Sequence, residues 1–292
     1  MKKGNELLLQ ENNFKEKLCG VILCAGEGKR LKKFTKNTPK SLIKIERLEN
    51  ISILHHSINN LINLEIKKIG VVIGYLGDSI REFILSLQKK NQTVQDKLII
   101  IDTENQYKFG PLYSLLSIIK NKDFFTSKNY FLVIPGDTIF DYNLLKEVLS
   151  IISNNFDLIQ MHPFIFYRII ELKPLKELYN VNRIISNAEI ENFGSKTILK
   201  KITQGKIKNL HLKKVLNQII PVTVFNYDFI NEILILKEKI PYKTVWESMN
   251  HMVNNGKKIY AFEIKNKHQF YDIDNKNDLK SLKKKEDNRC SD

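Results

Sequence analysis

Runs of β-branched and other apolar residues at 20–25, 69–73, 98–101 and 130–134 alternate with stretches whose apolar residues recur at helical spacing. In the first such stretch, 51–65, Ile51, Leu54, Ile58, Leu61 and Ile62 fall on one face. Further helices are predicted at 78–90, 112–119 and 143–152. A parallel strand pair needs a long crossover, which a helix fills, and the helices then cover the sheet. The alternation therefore predicts an α/β fold with three α/β/α layers around a mostly parallel, mixed central sheet. The order loosens after 156–159. Residues 162–218 read as short polar and apolar pieces, with strands near 183–190 and 196–202. A strand at 219–225, a helix at 244–254 ending at Asn255-Gly256, a strand at 259–264 and a basic helix from Asp278 complete the pattern. There is no internal repeat and no linker rich in Gly, Ser or Pro, so residues 1–292 read as a single domain with an irregular insertion.

At 292 residues the chain can bury a sizeable core without staples, and 42% hydrophobic residues exclude a disordered polymer. Three cysteines (Cys19, Cys24, Cys290), none in a C-x-x-C pair, give neither a disulfide framework nor a zinc site, so a reducing, cytoplasmic location is expected. Leu7-Leu8-Leu9 is too short for the core of a signal peptide, and no apolar run approaches a membrane span, so no membrane partner is expected. The net charge is +15, but 41 lysines are spread along the whole chain against six arginines. Nucleic-acid readers favour clustered arginine, so no nucleic-acid partner is expected and the surplus favours an anionic small molecule.

Chemistry concentrates in residues 20–45, a strand followed by a glycine loop and a basic patch. Gly26 and Gly28 let the backbone turn sharply and approach a ligand closely. Successive N–H groups in such a loop cradle phosphate oxygens, and Arg30 and Lys40 add two cations nearby. The loop is not a Walker loop, because Gly28-Lys29 is followed by Arg30 rather than Ser or Thr.

Leu23, Ala25, Gly26, Gly28, Arg30 and Leu31, in the pattern L-x-A-G-x-G-x-R-L, followed by Pro39-Lys40, closely resemble the signature of the sugar-phosphate nucleotidyltransferases. Gly74-Tyr75-Leu76-Gly77, the stretch from Gly110-Pro111 to Ser114-Leu115, Pro135-Gly136-Asp137 and Tyr271-Asp272-Ile273-Asp274 resemble later motifs of the same family. The resemblance implies a Rossmann-like, nucleotide-diphospho-sugar transferase architecture. Residues 1–155 would form a nucleotide-binding half, 156–265 an acceptor-binding half, and 266–292 a metal motif, terminal helix and basic tail. It implies transfer of a nucleoside monophosphate from an NTP to a phosphorylated sugar, polyol or alcohol, with release of pyrophosphate and with a magnesium ion as cofactor. By the same resemblance Arg30 and Lys40 are the catalytic cations. Leu23, Ala25, Gly26 and Gly28 hold the base edge and triphosphate, and Gly110 and Ser114 border the base. Asp137 and Asp272 hold the metal, with Asp274 as the alternative second ligand.

Such a reaction needs no general base, because the nucleophile is already an anionic phosphate. The barrier is charge repulsion between two anions, so catalysis rests on positioning and electrostatic stabilisation. A magnesium ion held by carboxylates suits that task.

The sequence departs from members that use a hexose 1-phosphate. Thr203-Gln204-Gly205-Lys206 stands where they carry Glu-Lys-Pro, and Ile219-Ile220-Pro221 where they carry Asn-Ala-Gly. Tyr113-Ser114-Leu115 and Asp272-Ile273-Asp274 look more like the cytidylyltransferase branch, which favours CTP and a polyol-type acceptor. Two other classes compete. A glycosyltransferase of similar fold expects Asp-x-Asp at the end of the fourth strand, where the sequence reads Gly136-Asp137-Thr138. A non-catalytic nucleotide binder has no need of Arg30, Lys40, Asp137 and Asp272 together. The subunit count is left open.

Overall fold

The computed structural model describes residues 14–171, 183–209, 215–265 and 268–283. The chain divides into two compact units, one running to Lys146 and resuming at His268, the other from Glu147 to Lys267.

In the first unit β1 (Leu18–Leu23), β2 (Lys68–Ile73), β3 (Leu98–Asp102) and β4 (Tyr130–Pro135) lie parallel in the order β3-β2-β1-β4. β1, β2 and β4 are buried almost end to end, as strands covered on both faces must be. Their crossovers contain α1 (Ile53–Asn63), α2 (Gly77–Lys90) and α3 (Pro111–Leu116). α1 buries Ile53, Leu54, Ile58 and Leu61, and Ser52 Oγ caps it by accepting the His55 N–H at 3.2 Å. Pro111 opens α3, where a missing N–H costs no helical bond. The helix predicted at 112–119 is α-helical only to Leu116 and continues as a 3-10 turn to Lys120. β1 also ends two residues earlier than predicted. Cys24 and Ala25 have left the ladder, although Cys24 N still donates to Val72 O at 2.8 Å and Ala25 O accepts Tyr75 N at 3.1 Å. β5 (Thr138–Phe140) follows β4, and α4 (Tyr142–Asn154) comes next.

The second unit contains the strands expected near 183–190 and 196–202, both longer than expected, and adds one at Phe164–Glu171 where only short pieces were read. It holds β6 (Phe164–Glu171), β7 (Ile184–Phe193), β8 (Lys196–Lys206), β9 (Val215–Asn226) and β10 (Tyr260–Glu263), in the order β9-β6-β10-β8-β7. β10 pairs parallel with β6, the other pairs are antiparallel, and a bridge from Gln218 to Asn187 joins the outer strands. β8 carries a bulge between Leu199 and Lys201. Asn250 stands in for a strand there, donating to Ile202 O at 2.8 Å and accepting Ile202 N at 2.7 Å. Pro221 has no N–H for the ladder, and it lies where the β9–β6 register shifts, between Ile220 and Thr223. α5 (Tyr227–Lys239) has no counterpart in the sequence reading. Asn226, the last residue of β9, caps it by accepting Phe229 N at 2.8 Å. α6 (Val245–Asn254) opens with a reciprocal capping box between Thr244 and Glu247.

The chain then completes the first unit. β11 (Phe270–Asp272) pairs antiparallel with β5, setting Asp272 opposite Thr138, and α7 (Lys276–Lys283) follows. The mixed α/β architecture is the one the alternation predicts. Among the described residues no helix is long and apolar enough to cross a membrane.

Candidate active site

In the order β3-β2-β1-β4 the chain leaves β1 toward one side and later reaches β4 on the other. Open α/β sheets bind ligands in the crevice that such a reversal leaves beyond the carboxyl ends of the strands. Leu23 and Pro135 are register partners, so the loops after β1 and β4 leave the sheet side by side. Gly136 N donates to Leu23 O at 2.9 Å. A Cβ at position 136 would run into Cys24 Sγ and lie 2.9 Å from Leu23 O, so only glycine lets the two loops touch. Gly28 is left-handed, with φ of 61°, and its carbonyl accepts Leu31 N at 2.9 Å and Thr35 Oγ1 at 3.2 Å. Gly26 is exposed, with nothing within 4 Å of where a side chain would project, so its backbone is open to a ligand. Gly110 precedes α3, and Ser114 is buried on that helix. Tyr107 and Ala25 both crowd the space over Gly74, which ties the segment before Gly110 to the β1 loop.

The charges converge from three distant segments. Lys40, on the short turn after Pro39, is buried, and its Nζ lies 2.6 Å from Asp137 Oδ2 and 3.5 Å from Asp274 Oδ1. Arg30 Nη1 lies 2.9 Å from the other oxygen of Asp274. Burial alone would lower the Lys40 pKa. The charge and hydrogen bond of Asp137, with the charges of Asp274 and Asp272, outweigh it and raise the pKa, so the ammonium stays protonated. Cys24, behind this cluster, is driven the other way by burial, up to about 12, with the Ser41 hydroxyl opposing the shift and the Asp137 charge adding to it. It is a packed thiol, not a nucleophile.

Backbone pairing holds the carboxylates in place. Thr138 Oγ1 donates to Asp272 Oδ1 at 2.6 Å, and Ile273 N donates to Asp137 O at 3.2 Å. Beyond Asp274, Asn275 Oδ1 accepts the N–H groups of Asn277 and Asp278, at 2.8 and 3.3 Å. The Asp278 carboxylate accepts those of Asp274 and Asn275 in return, at 2.7 and 2.9 Å. This reciprocal cap starts α7 and fixes the backbone of Asp274.

The structure thus gathers Arg30, Lys40 and Asp137 around one point and brings Asp274 into direct contact with both cations. Asp272 sits on the adjoining strand residue facing Thr138, and acts on Lys40 through its charge. Leu23 ends β1, Ala25, Gly26 and Gly28 lie in the loop that follows it, and Gly110 and Ser114 lie at the cap and within the short helix α3. Thr138 and Asp278 are not among the sequence-predicted site residues. The Asn275-x-x-Asp278 spacing ahead of a helix was the available signal for the latter.

Residues 19–165 match the nucleotidyl transferase family, and the chain belongs to it. Bifunctional protein GlmU of Methanococcus vannielii is 32% identical over 130 residues, covering 43% of this chain and 26% of the relative. The chain thus spans about a quarter of the length of that curated relative. The fold is shared with a UDP-glucose pyrophosphorylase solved with UDP-glucose, at a TM-score of 0.65 and 14% identity over 91% of this chain and 96% of the other. It is shared equally with the inositol-1-phosphate CTP transferase from T. maritima, at 0.62 and 16% identity over 91% and 96%.

Proposed function

We propose that the chain is a magnesium-dependent nucleotidyltransferase. It moves a nucleoside monophosphate from an NTP to a phosphorylated sugar or polyol and releases pyrophosphate, in the cytoplasm, for the assembly of surface polysaccharide or lipid. The observation that carries this reading is Lys40, a buried ammonium beside the glycine loop, within 3.5 Å of both Asp137 and Asp274. Family membership supports the same reaction class.

Two anions must meet for the reaction to proceed, and this chain's cations and amide donors oppose their repulsion. Lys40 neutralises the α-phosphate or the incoming acceptor phosphate. Arg30, with a side chain 65% exposed, reaches the leaving pyrophosphate. Backbone N–H groups between Leu23 and Gly28 hold the triphosphate, and Gly110 and Ser114 border the base. Magnesium is usually held by one or two carboxylates, with substrate phosphates and waters completing its shell. The hard oxygen donors of Asp137 and Asp272 fit that set, and Asp274 lies beside them. When bound, the metal supplies further neutralisation of the triphosphate. CTP is the favoured nucleotide, on the local likeness of 113–115 and 272–274 to cytidylyltransferases.

The test is pyrophosphate release with magnesium, each of CTP, UTP, dTTP, GTP and ATP, and a panel of phosphorylated sugars, polyols and choline. Release with one pair establishes the reaction and names both substrates. Silence across the panel, with no NTP bound, overturns it.

A further inference from the structure

Each cation assigned to phosphate is already paired with a carboxylate of the metal site, where Asp137 is the first ligand assigned above and Asp274 the alternative second one. Lys40 bridges Asp137 and Asp274, and Arg30 holds the second oxygen of Asp274. The Lys40 side chain is only 10% exposed, so solvent and salt screen its two contacts less than they screen the open Arg30 pair. We propose that Lys40 is a built-in counter-ion which occupies the carboxylate pair until nucleotide arrives, and so makes divalent-cation binding depend on the triphosphate. The proposal rests on the reaction assigned above and concerns how its site is loaded.

Two carboxylates facing one point repel each other unless a cation lies between them. In the nucleotide-free chain that cation is the Lys40 ammonium. A divalent ion approaching Asp137 meets a buried positive charge that it must displace. A triphosphate supplies new anionic partners to Lys40 and Arg30. The lysine stem is flexible enough to follow them, which frees Asp137 and Asp274. Linkage then requires that metal and nucleotide each raise the other's affinity. This scheme differs from simple co-binding in one respect: deleting the lysine charge strengthens metal binding when no nucleotide is present.

The experiment titrates the nucleotide-free full chain with Mn2+ and follows free ion by electron paramagnetic resonance. Lys40→Met is expected to bind Mn2+ at least about tenfold more tightly than the wild type, in line with measured couplings between close charge pairs. The same variant should bind NTP more weakly. Lys40→Gln, which keeps a polar stem, is the second variant, with circular dichroism confirming that each is folded. Asp137→Asn should abolish the gain in either background. Equal or weaker Mn2+ binding in both folded lysine variants overturns the proposal, as does a gain that survives Asp137→Asn. The two readings separate cleanly. If the wild type turns over substrates while Mn2+ affinity ignores Lys40, the counter-ion role fails and the reaction stands. If Mn2+ affinity rises as expected but no substrate pair reacts, the reaction fails and the counter-ion role stands.

Discussion

The hydroxyl of Thr138 donates to the carboxylate of Asp272 at 2.6 Å, joining two residues 134 positions apart in the sequence. Thr138 is fully buried and faces Asp272 across the β5–β11 pair. Asp137 precedes one partner and Asp274 follows the other, so this pair sets the spacing of the whole carboxylate group.

Thr138→Val keeps the shape and removes the donor. Hydrogen bonds to charged groups contribute about 1.5–3 kcal/mol. Urea unfolding should show a loss of about 2 kcal/mol, with a parallel fall in turnover. An unchanged midpoint and unchanged activity would show that the strand pairing alone places Asp272.

Gly136→Ala forces a methyl group into Cys24 Sγ and against the carbonyl of Leu23. Overpacking of this kind costs about 1–3 kcal/mol. Cys24→Ala in the same background removes the sulfur but not the carbonyl, so it should restore part of the stability. A single Gly136→Ala variant as stable as the wild type would mean that the two loops have room to part around the added methyl group.

Burial raises the thiols of Cys19 and Cys24 from 9.0 to about 12. In the unfolded chain both lose their protons near the lower value. Between the two values the folded state binds more protons, so its stability falls as pH rises. Urea midpoints measured from pH 8 upward should therefore drop more steeply above pH 9 in the wild type than in a Cys19→Ala, Cys24→Ala double variant. Matching slopes would contradict the burial of the thiols.

The sheet and the loops of the first unit were legible because their physics is local. β1, β2 and β4 are short, nearly continuous apolar runs, and the glycine loop and Pro135-Gly136-Asp137 directly follow two of them. The second unit was legible only in part. The strands expected near 183–190 and 196–202 are β7 and β8, but both mix polar and apolar residues and a bulge near Leu199 breaks the alternation, so their full lengths were not marked. β9 starts at Val215, four residues before the strand expected at 219–225, and α5, which follows it with no intervening loop, was not anticipated. The contact of Asp274 with Lys40 spans 234 residues and depends on the β5–β11 pairing, which no local spacing encodes. Sequence reading therefore identified Asp272 and Asp274 together, and the geometry added that Asp274 is the one touching both cations.

Under the proposed function, Asp137 and its cationic neighbours stabilise the charge that develops during nucleotidyl transfer. The direct measurement is pyrophosphate release by wild type and Asp137→Asn, using the NTP and acceptor pair that the panel identifies. Loss of one preorganised charge stabiliser is expected to lower turnover by roughly 10²–10³, about 3–4 kcal/mol. A folded Asp137→Asn variant that releases pyrophosphate at the wild-type rate would contradict that role for Asp137.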